Sequence, residues 1–428
     1  MNVYLTSLGC KLNWAELEGF RRELVERGHA IVDAPAEADW AIVNTCAVTH
    51  VAARKSRQTI RRLRRENPSL HVAAVGCYAE IAPETVRSLD GVDLCLGNQV
   101  KEGVVTQILA SEPSPRAEDR RSIGALDGSR TRAFCKIQDG CDNHCTYCIV
   151  TIARGVQQSV SPHAILAEIQ ELVDEGYQEI VLTGVHIGAY GHDADRSASP
   201  DAADWDLAKL VQWLLAETRV PRLRLSSIEP WDVTNDLLDL WPHPRLCPHL
   251  HLPLQSGCDH TLRRMARRYT TEEFRQRVRA FRERVPHGAV TTDVIVGFPG
   301  ETDSEFEETV AFVQKMAFSR LHVFRYSPRP GTAALRLPGQ VSPRIAKRRS
   351  KKMRDLGREL SSAYHRDLLG KIVPVLFENR DDGQWMGLTD TYIRASVASP
   401  SNLHNQIVPV RCITADARGI GGELLASH

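Results

Sequence analysis

The sequence predicts an α/β protein in three parts: an amino-terminal parallel-sheet α/β domain, a central partial (βα)6 barrel and a small carboxy-terminal β-barrel. Three observations carry this. Short apolar runs alternate with amphipathic helices over residues 1–110, six apolar runs recur at βα spacing between residues 131 and 350, and beyond residue 361 short β-rich runs are separated by turns. A chain of 428 residues has the length of two to three domains, and 42% hydrophobic with 25% charged residues is the balance of a globular protein. No run of about 18 apolar residues occurs, and Met1-Asn2-Val3-Tyr4-Leu5 opens on a strand with no charged lead or cleavage site. A soluble, cytoplasmic protein without membrane contact is expected. Eleven cysteines, an odd number, point to reduced thiols and metal ligands rather than disulfides.

In the first domain, residues 1–112, strands are expected at Val3 to Leu5, Trp40 to Val43, Val72 to Val75 and Val92 to Leu96. Cys10, Cys46 and Cys77 each stand just beyond one of the first three. Ligands of an open parallel sheet gather outside the carboxyl ends of its strands, so these cysteines, distant in sequence, form a candidate three-thiolate site. Cys95 reads as a small buried hydrophobe. Residues 113–130 carry no periodic apolar set and read as a linker.

The central domain, residues 131–358, has strand candidates at Cys135 to Ile137, Ile180 to Leu182, Leu223 to Leu225, His249 to Leu252, Thr291 to Val296 and Arg320 to Phe324. After the first comes Cys141-Asp142-Asn143-His144-Cys145-Thr146-Tyr147-Cys148, three cysteines spaced CxxxCxxC. A closed tetrahedral zinc site needs four ligands, and apart from His144, locked between two of the cysteines, none stands nearby. A four-iron cluster held by three thiolates keeps one iron open for chemistry, which is the favoured reading over zinc or redox thiols. In a barrel of this kind the site lies at the carboxyl ends of the strands, where Gly184, Ser226, Glu229, Gln255 and Gly297 place small or hydrogen-bonding groups. Arg154, soon after the cysteines, can face an anionic carboxylate or phosphate. No HExxH pair, GxGxxG turn or P-loop occurs.

The last domain, residues 359–428, has strand candidates at Ile372 to Phe377, Gln384 to Leu388, Tyr392 to Val397 and Ile407 to Ile413. Trp385 and Tyr392 near Arg394 offer nucleic-acid contacts. Net charge is only +1, yet Lys and Arg crowd into residues 54–65, 263–284 and 344–358, as a polyanionic phosphate backbone would reward.

The CxxxCxxC segment resembles the signature of the radical S-adenosylmethionine enzymes. Leu8-Gly9-Cys10-Lys11-Leu12-Asn13, Asn44-Thr45-Cys46-Ala47-Val48 and Val75-Gly76-Cys77-Tyr78-Ala79-Glu80 are similar to the amino-terminal domain of the methylthiotransferases of that superfamily. Arg154-Gly155, Gln255-Ser256-Gly257, Met265 to Thr270 and Tyr326 to Thr332 match the same family, and the terminal barrel resembles its RNA-gripping TRAM domain. The resemblance implies two 4Fe-4S clusters, one on Cys141, Cys145 and Cys148 that cleaves S-adenosylmethionine to a 5′-deoxyadenosyl radical, and an auxiliary one on Cys10, Cys46 and Cys77 that carries the sulfur. It implies that the turn at Gly184 meets the methionyl amino group. It also implies a tRNA substrate approached at the anticodon loop, with an unidentified electron donor and sulfur source. Thr183 to Gly191 and Leu225 to Pro230 look like the branch acting on threonylcarbamoyladenosine. Isopentenyladenosine in tRNA, a ribosomal protein aspartate, and a non-catalytic iron–sulfur electron carrier remain alternatives.

Overall fold

A computed structural model describes residues 1–111, 131–193, 202 and 204–425. The chain opens with β1 (Asn2–Ser7), α1 (Lys11–Glu26), β2 (Ala30–Val32), β3 (Trp40–Thr45), α2 (His50–Glu66), β4 (His71–Gly76), α3 (Cys77–Ile81), α4 (Pro83–Arg87), β5 (Leu94–Leu96) and α5 (Val104–Ser111). The five strands form one parallel sheet in the order β2-β1-β3-β4-β5. β3 is buried throughout, as a central strand covered on both faces must be. On one face Leu17, Phe20 and Leu24 of α1 pack with Val3, Leu5 and Ile42, and on the other Ile60 and Leu63 of α2 pack with Val43 and Val72.

The second part contains β6 (Arg132–Lys136), β7 (Gln138–Asp139), α6 (Val150–Arg154), β8 (Gln158–Ser159), α7 (Pro162–Asp174), β9 (Glu179–Thr183), α8 (Leu207–Glu217), β10 (Arg222–Leu225), α9 (Asn235–Leu238), β11 (His249–His251), α10 (Asp259–Arg264), α11 (Thr271–Arg284), β12 (Ala289–Val296), α12 (Asp303–Met316), β13 (Arg320–Arg325) and α13 (Pro343–Arg366). Parallel sheets β6-β9-β10 and β11-β12-β13 are joined by a bridge between Ser227 and His251, giving six barrel strands in sequence order. Among the described residues no ladder pairs β13 with β6, so the barrel stays open there, and α1 of the first sheet packs against β6 and β9. Capping boxes at Thr270/Glu273 and Thr302/Glu305 start α11 and α12 and fix where those helices return from the barrel mouth.

The chain ends in a closed barrel β14 (Ile372–Asp381), β15 (Gln384–Thr389), β16 (Arg394–Ala398), β18 (Ile420–Leu424) and β17 (Ile407–Ala415), in that spatial order. All six expected barrel strands and the four expected terminal strands are present within a few residues. The β2 strand, the short β7–β8 hairpin and β18 go beyond the expected set. Tyr392 is not in a strand: it takes φ +68 in the turn before β16. The expected linker at 113–130 lies outside the described residues, and the expected boundary at 358 falls within α13, which runs unbroken to Arg366. No described helix is long and apolar enough to cross a membrane.

Candidate functional site

The CxxxCxxC loop is suspended from backbone bonds to distant elements. Gly140 precedes it with φ +67, and a Cβ there would overlap the Val156 carbonyl oxygen, so only glycine fits. Cys141 N–H donates to Gly155 O (3.1 Å), and Cys148 N–H to Cys145 O (3.0 Å). Between them Thr146 N–H donates to Met265 O, its hydroxyl to Arg264 O, and its carbonyl accepts from Ala334 N–H. The three thiols act on one another electrostatically; Cys145 also accepts from Arg267 Nη1 (3.5 Å) and Cys148 from Val150 N–H (3.4 Å). Burial pushes the Cys148 thiol up to about 12 and raises that of Cys145, so protons stay on these sulfurs until a metal replaces them.

The second set assembles at the carboxyl ends of three neighbouring strands. Cys10 is the N-cap of α1 after β1, Cys46 follows β3, and Cys77 is the first residue of α3 after β4. Gly9, at φ +105, lies where a Cβ would come within 2.7 Å of Cys46 Sγ, so its missing side chain lets the first loop close over the second cysteine. Cys10 donates to Asn13 Oδ1 (3.4 Å) and Asn98 Nδ2 donates to Cys77 (3.5 Å). Burial lifts Cys46 to about 11.

Both triads fit a cluster better than a lone ion. A zinc site would draw four ligands to about 2.3 Å of one centre. Among the described residues no three Cys, His, Asp or Glu gather tightly enough to hold a single ion, and His144 is exposed. Three thiols in each set, as CxxxCxxC and at three neighbouring strand ends, suit a four-iron cube with one open corner.

The remaining expected residues divide. Ser226 lies at the mouth with a buried hydroxyl that has no hydrogen-bond partner among the described residues. Gln255 takes φ +62 and its backbone exchanges bonds with Asp293 O and Ile295 N–H. A Cβ on Gly184 would be 2.7 Å from Gln138 O. Glu229 is held by Arg267, whose guanidinium lies over the Trp231 and Tyr269 rings at 4.9 and 5.1 Å. One expectation is corrected. Arg154 faces no free anion: its guanidinium, 2% exposed, bonds Glu16 (2.8 Å), Asp139 (2.9 Å) and Asn13 (2.7 Å). Gly297 is required by packing, since a Cβ at its φ of +74 would be 2.7 Å from that of Ala346 on α13.

Two residues beside the first triad are not marked out by the sequence. Arg267 lies inside a motif that by itself gives it no role. His186 contacts Asp232 (2.6 Å), Asn143 (3.1 Å) and Cys141; against burial that lowers it, the bonds to Asp232 and Cys141 hold its imidazolium up at about 10. No local spacing announces either partnership.

One short helix couples the triads. α6 begins two residues after Cys148, and its Ala153 carbonyl accepts from the same Asn98 amide that donates to Cys77. Val48 and Val51 follow Cys46 in the chain and Ile152 follows Cys148, and all three are exposed apolar side chains, at 44–50%. The basic runs also separate. Along 263–284, Arg264, Arg267, Arg275, Arg279 and Arg284 pair with carboxylates, as do Arg348, Arg349, Lys351, Lys352 and Arg358 of α13. On α2 only Arg62 reaches a carboxylate, Glu66 at 3.7 Å, among the described residues; Arg54, Lys55, Arg61 and Arg65 are exposed without one. Trp385 and Tyr392 face inward, the first 8% exposed and the second stacked on His249, so neither offers a ring to RNA.

Comparison with known proteins agrees with this geometry. Residues 135–313 match the model of the radical SAM superfamily, and residues 2–97 that of uncharacterized protein family UPF0004. The chain is 37% identical to threonylcarbamoyladenosine tRNA methylthiotransferase MtaB of Bacillus subtilis, over 96% of this chain and 94% of the relative. It is 38% identical to the protein of the same name from Thermotoga maritima, over 88% and 86%. With tRNA-2-methylthio-N(6)-dimethylallyladenosine synthase of Ehrlichia canis it shares 31%, over 98% and 99%. Among solved structures, the radical S-adenosylmethionine methyltransferase TsrM of Kitasatospora setae aligns with TM-score 0.53 at 15% identity, covering 76% of this chain and 72% of that one, a likeness of fold.

Proposed function

This chain belongs to the radical S-adenosylmethionine methylthiotransferases, and we propose that it converts threonylcarbamoyladenosine in tRNA to the 2-methylthio derivative. The observation that carries the reading is the pair of three-thiol sets, each at the carboxyl ends of parallel strands, joined through α6 and Asn98. An electron carrier has no use for a barrel whose strand ends carry the Gly184, Ser226 and Gln255 positions beside the first set. The threonylcarbamoyl branch is supported by the relatives of 37% and 38% identity, which bear that name, against 31% for the dimethylallyl relative.

In this reading Cys141, Cys145 and Cys148 would hold one iron–sulfur cluster and Cys10, Cys46 and Cys77 a second, and these groups would supply radical generation from S-adenosylmethionine and the sulfur to be transferred. The protein positions. Gly184 keeps the β9 turn free of a side chain, the unpartnered Ser226 hydroxyl is available to a ligand, and Arg267 holds the Glu229 carboxylate in place at the mouth. Val48, Val51 and Ile152 are exposed apolar side chains close in the chain to Cys46 and Cys148, available for an aromatic base to cover. The exposed cations of α2 suit a phosphate backbone, the anticodon loop being the part of tRNA presented. Electron donor and sulfur source are external partners, and the setting is cytoplasmic.

Mass spectrometry of tRNA nucleosides from cells with and without the protein tests this. Loss of the methylthio group from threonylcarbamoyladenosine alone is expected. Loss from isopentenyladenosine instead would keep the chemistry and overturn the substrate; both remaining intact would exclude tRNA.

A further inference from the structure

Among the side chains that reach into the barrel, one cation stands apart. Lys11, the residue after Cys10, leaves α1 into the open side of the barrel. Its ammonium lies 5.3 Å from the centre of the Tyr392 ring, which the terminal barrel inserts from below. Its charge reaches Asp293 on β12 and Glu179 on β9. Both carboxylates are already engaged: Glu179 by Arg224 at 2.6 Å, Asp293 by His251 at 3.3 Å. The neighbouring cations are engaged too, Arg224 by Glu179 and Arg132 by Glu378 at 2.7 Å. Among the described residues no carboxylate lies within ion-pair distance of Lys11 itself. A half-buried ammonium beside two other cations and without a carboxylate of its own is an available site for an anion that arrives with a ligand.

We propose that Lys11 is a specificity-determining residue whose ammonium receives the carboxylate of the threonyl group on N6 of the substrate adenosine. The inference rests on the threonylcarbamoyl reading given above. The chemistry discriminates in the direction required: a dimethylallyl substituent is uncharged and leaves Lys11 unpaired, whereas the threonyl carboxylate forms a charge-assisted hydrogen bond.

The test uses the cluster-loaded enzyme and two anticodon stem-loop RNAs, one with threonylcarbamoyladenosine and one with its threonyl carboxamide. Wild type should favour the carboxylate by about 10- to 100-fold in kcat/KM, the size of one charged hydrogen bond. Lys11→Gln should treat the two RNAs alike, mainly through KM for the carboxylate, and Lys11→Arg should restore part of the preference. The preference is a ratio within one preparation, so it does not depend on how much cluster a variant carries. Lys11→Gln retaining the wild-type ratio overturns the role of Lys11 alone. Wild type inactive on threonylcarbamoyl RNA overturns the proposed substrate itself.

Discussion

Arg154→Met should loosen the junction between the first sheet and the barrel, and the loss can be worked from the contacts. Arg154, Glu16 and Lys101 are at most 3% exposed at their side chains. Burial alone would raise the Glu16 carboxyl; Arg154 and Lys101 instead hold it at about 2 rather than 4.5. Lowering a carboxyl by that much corresponds to about 3 kcal/mol of folding free energy. Because the folded value is depressed, this contribution is fully present above pH 4.5 and is lost as pH falls from 4.5 toward 2. Removing one partner of a buried pair costs about 3–5 kcal/mol, and Glu16 keeps Lys101 (2.5 Å) and Asn44 (2.9 Å), so about 3 kcal/mol is expected. Urea unfolding at pH 7 of wild type, Arg154→Met, Glu16→Gln and the double variant measures the coupling, expected near ~2 kcal/mol. Single-variant losses that add to within ~0.5 kcal/mol would refute the argument that these charges tie the two units.

Three further outcomes follow from the same geometry. Cys141→Ala and Cys46→Ala should each halve bound iron and acid-labile sulfide, from about eight irons per chain to about four, measured after anaerobic reconstitution; zinc in place of iron would sink the cluster reading. Replacing Arg61 and Arg65 of α2 by Gln should weaken tRNA binding and flatten its dependence on salt by roughly one unit of slope for each phosphate no longer neutralised, whereas the same change at Lys351 and Lys352, which have Asp355 and Glu307, should do much less. Gly140→Ala should lower the melting temperature well beyond Gly383→Ala: both have positive φ, which alone costs about 1–3 kcal/mol, but only at Gly140 does the added carbon meet backbone.

What the sequence reveals depends on whether the determining contacts are local. Trp40 to Thr45 reads as a buried strand because its apolar run is its own cause, and a cysteine just past such a strand inherits its place at the sheet's carboxyl edge. Ile420–Leu424 does not read as a strand, since Ile-Gly-Gly-Glu-Leu has little β-propensity; it is held by partners on both sides, Ala395 to Val397 and Val410 to Ala415. Arg154 shows the same limit in the site. Its closeness to Cys148 in the chain suggests a ligand-facing cation, but the acid that takes it, Glu16, lies 138 residues away. The basic stretches are alike in composition and differ only in which acids the fold sets opposite them.

Helix α1 explains why these distant residues act together. At about 100° per residue, Leu17, Phe20 and Leu24 fall on one side, and they are the residues packed on the first sheet. Lys11, Glu18 and Arg22 fall on the opposite side, and Arg22 meets Glu168 and Glu171 of α7 outside the barrel while Lys11 enters it. Glu16 lies at the margin of the apolar face, and together with Asn13 in the first turn it reaches Arg154, the last residue of α6, which Ile149 joins to Cys148. The apolar face therefore sets the rotation of the helix, and that rotation places Cys10 over the first sheet's edge, Lys11 in the barrel and Glu16 at the junction at once. A single residue inserted between Lys11 and Asn13 would turn Cys10 and Lys11 by about 100° away from their partners while leaving the apolar face seated. The auxiliary thiols would then lose their third member without any loss of the sheet that carries the other two.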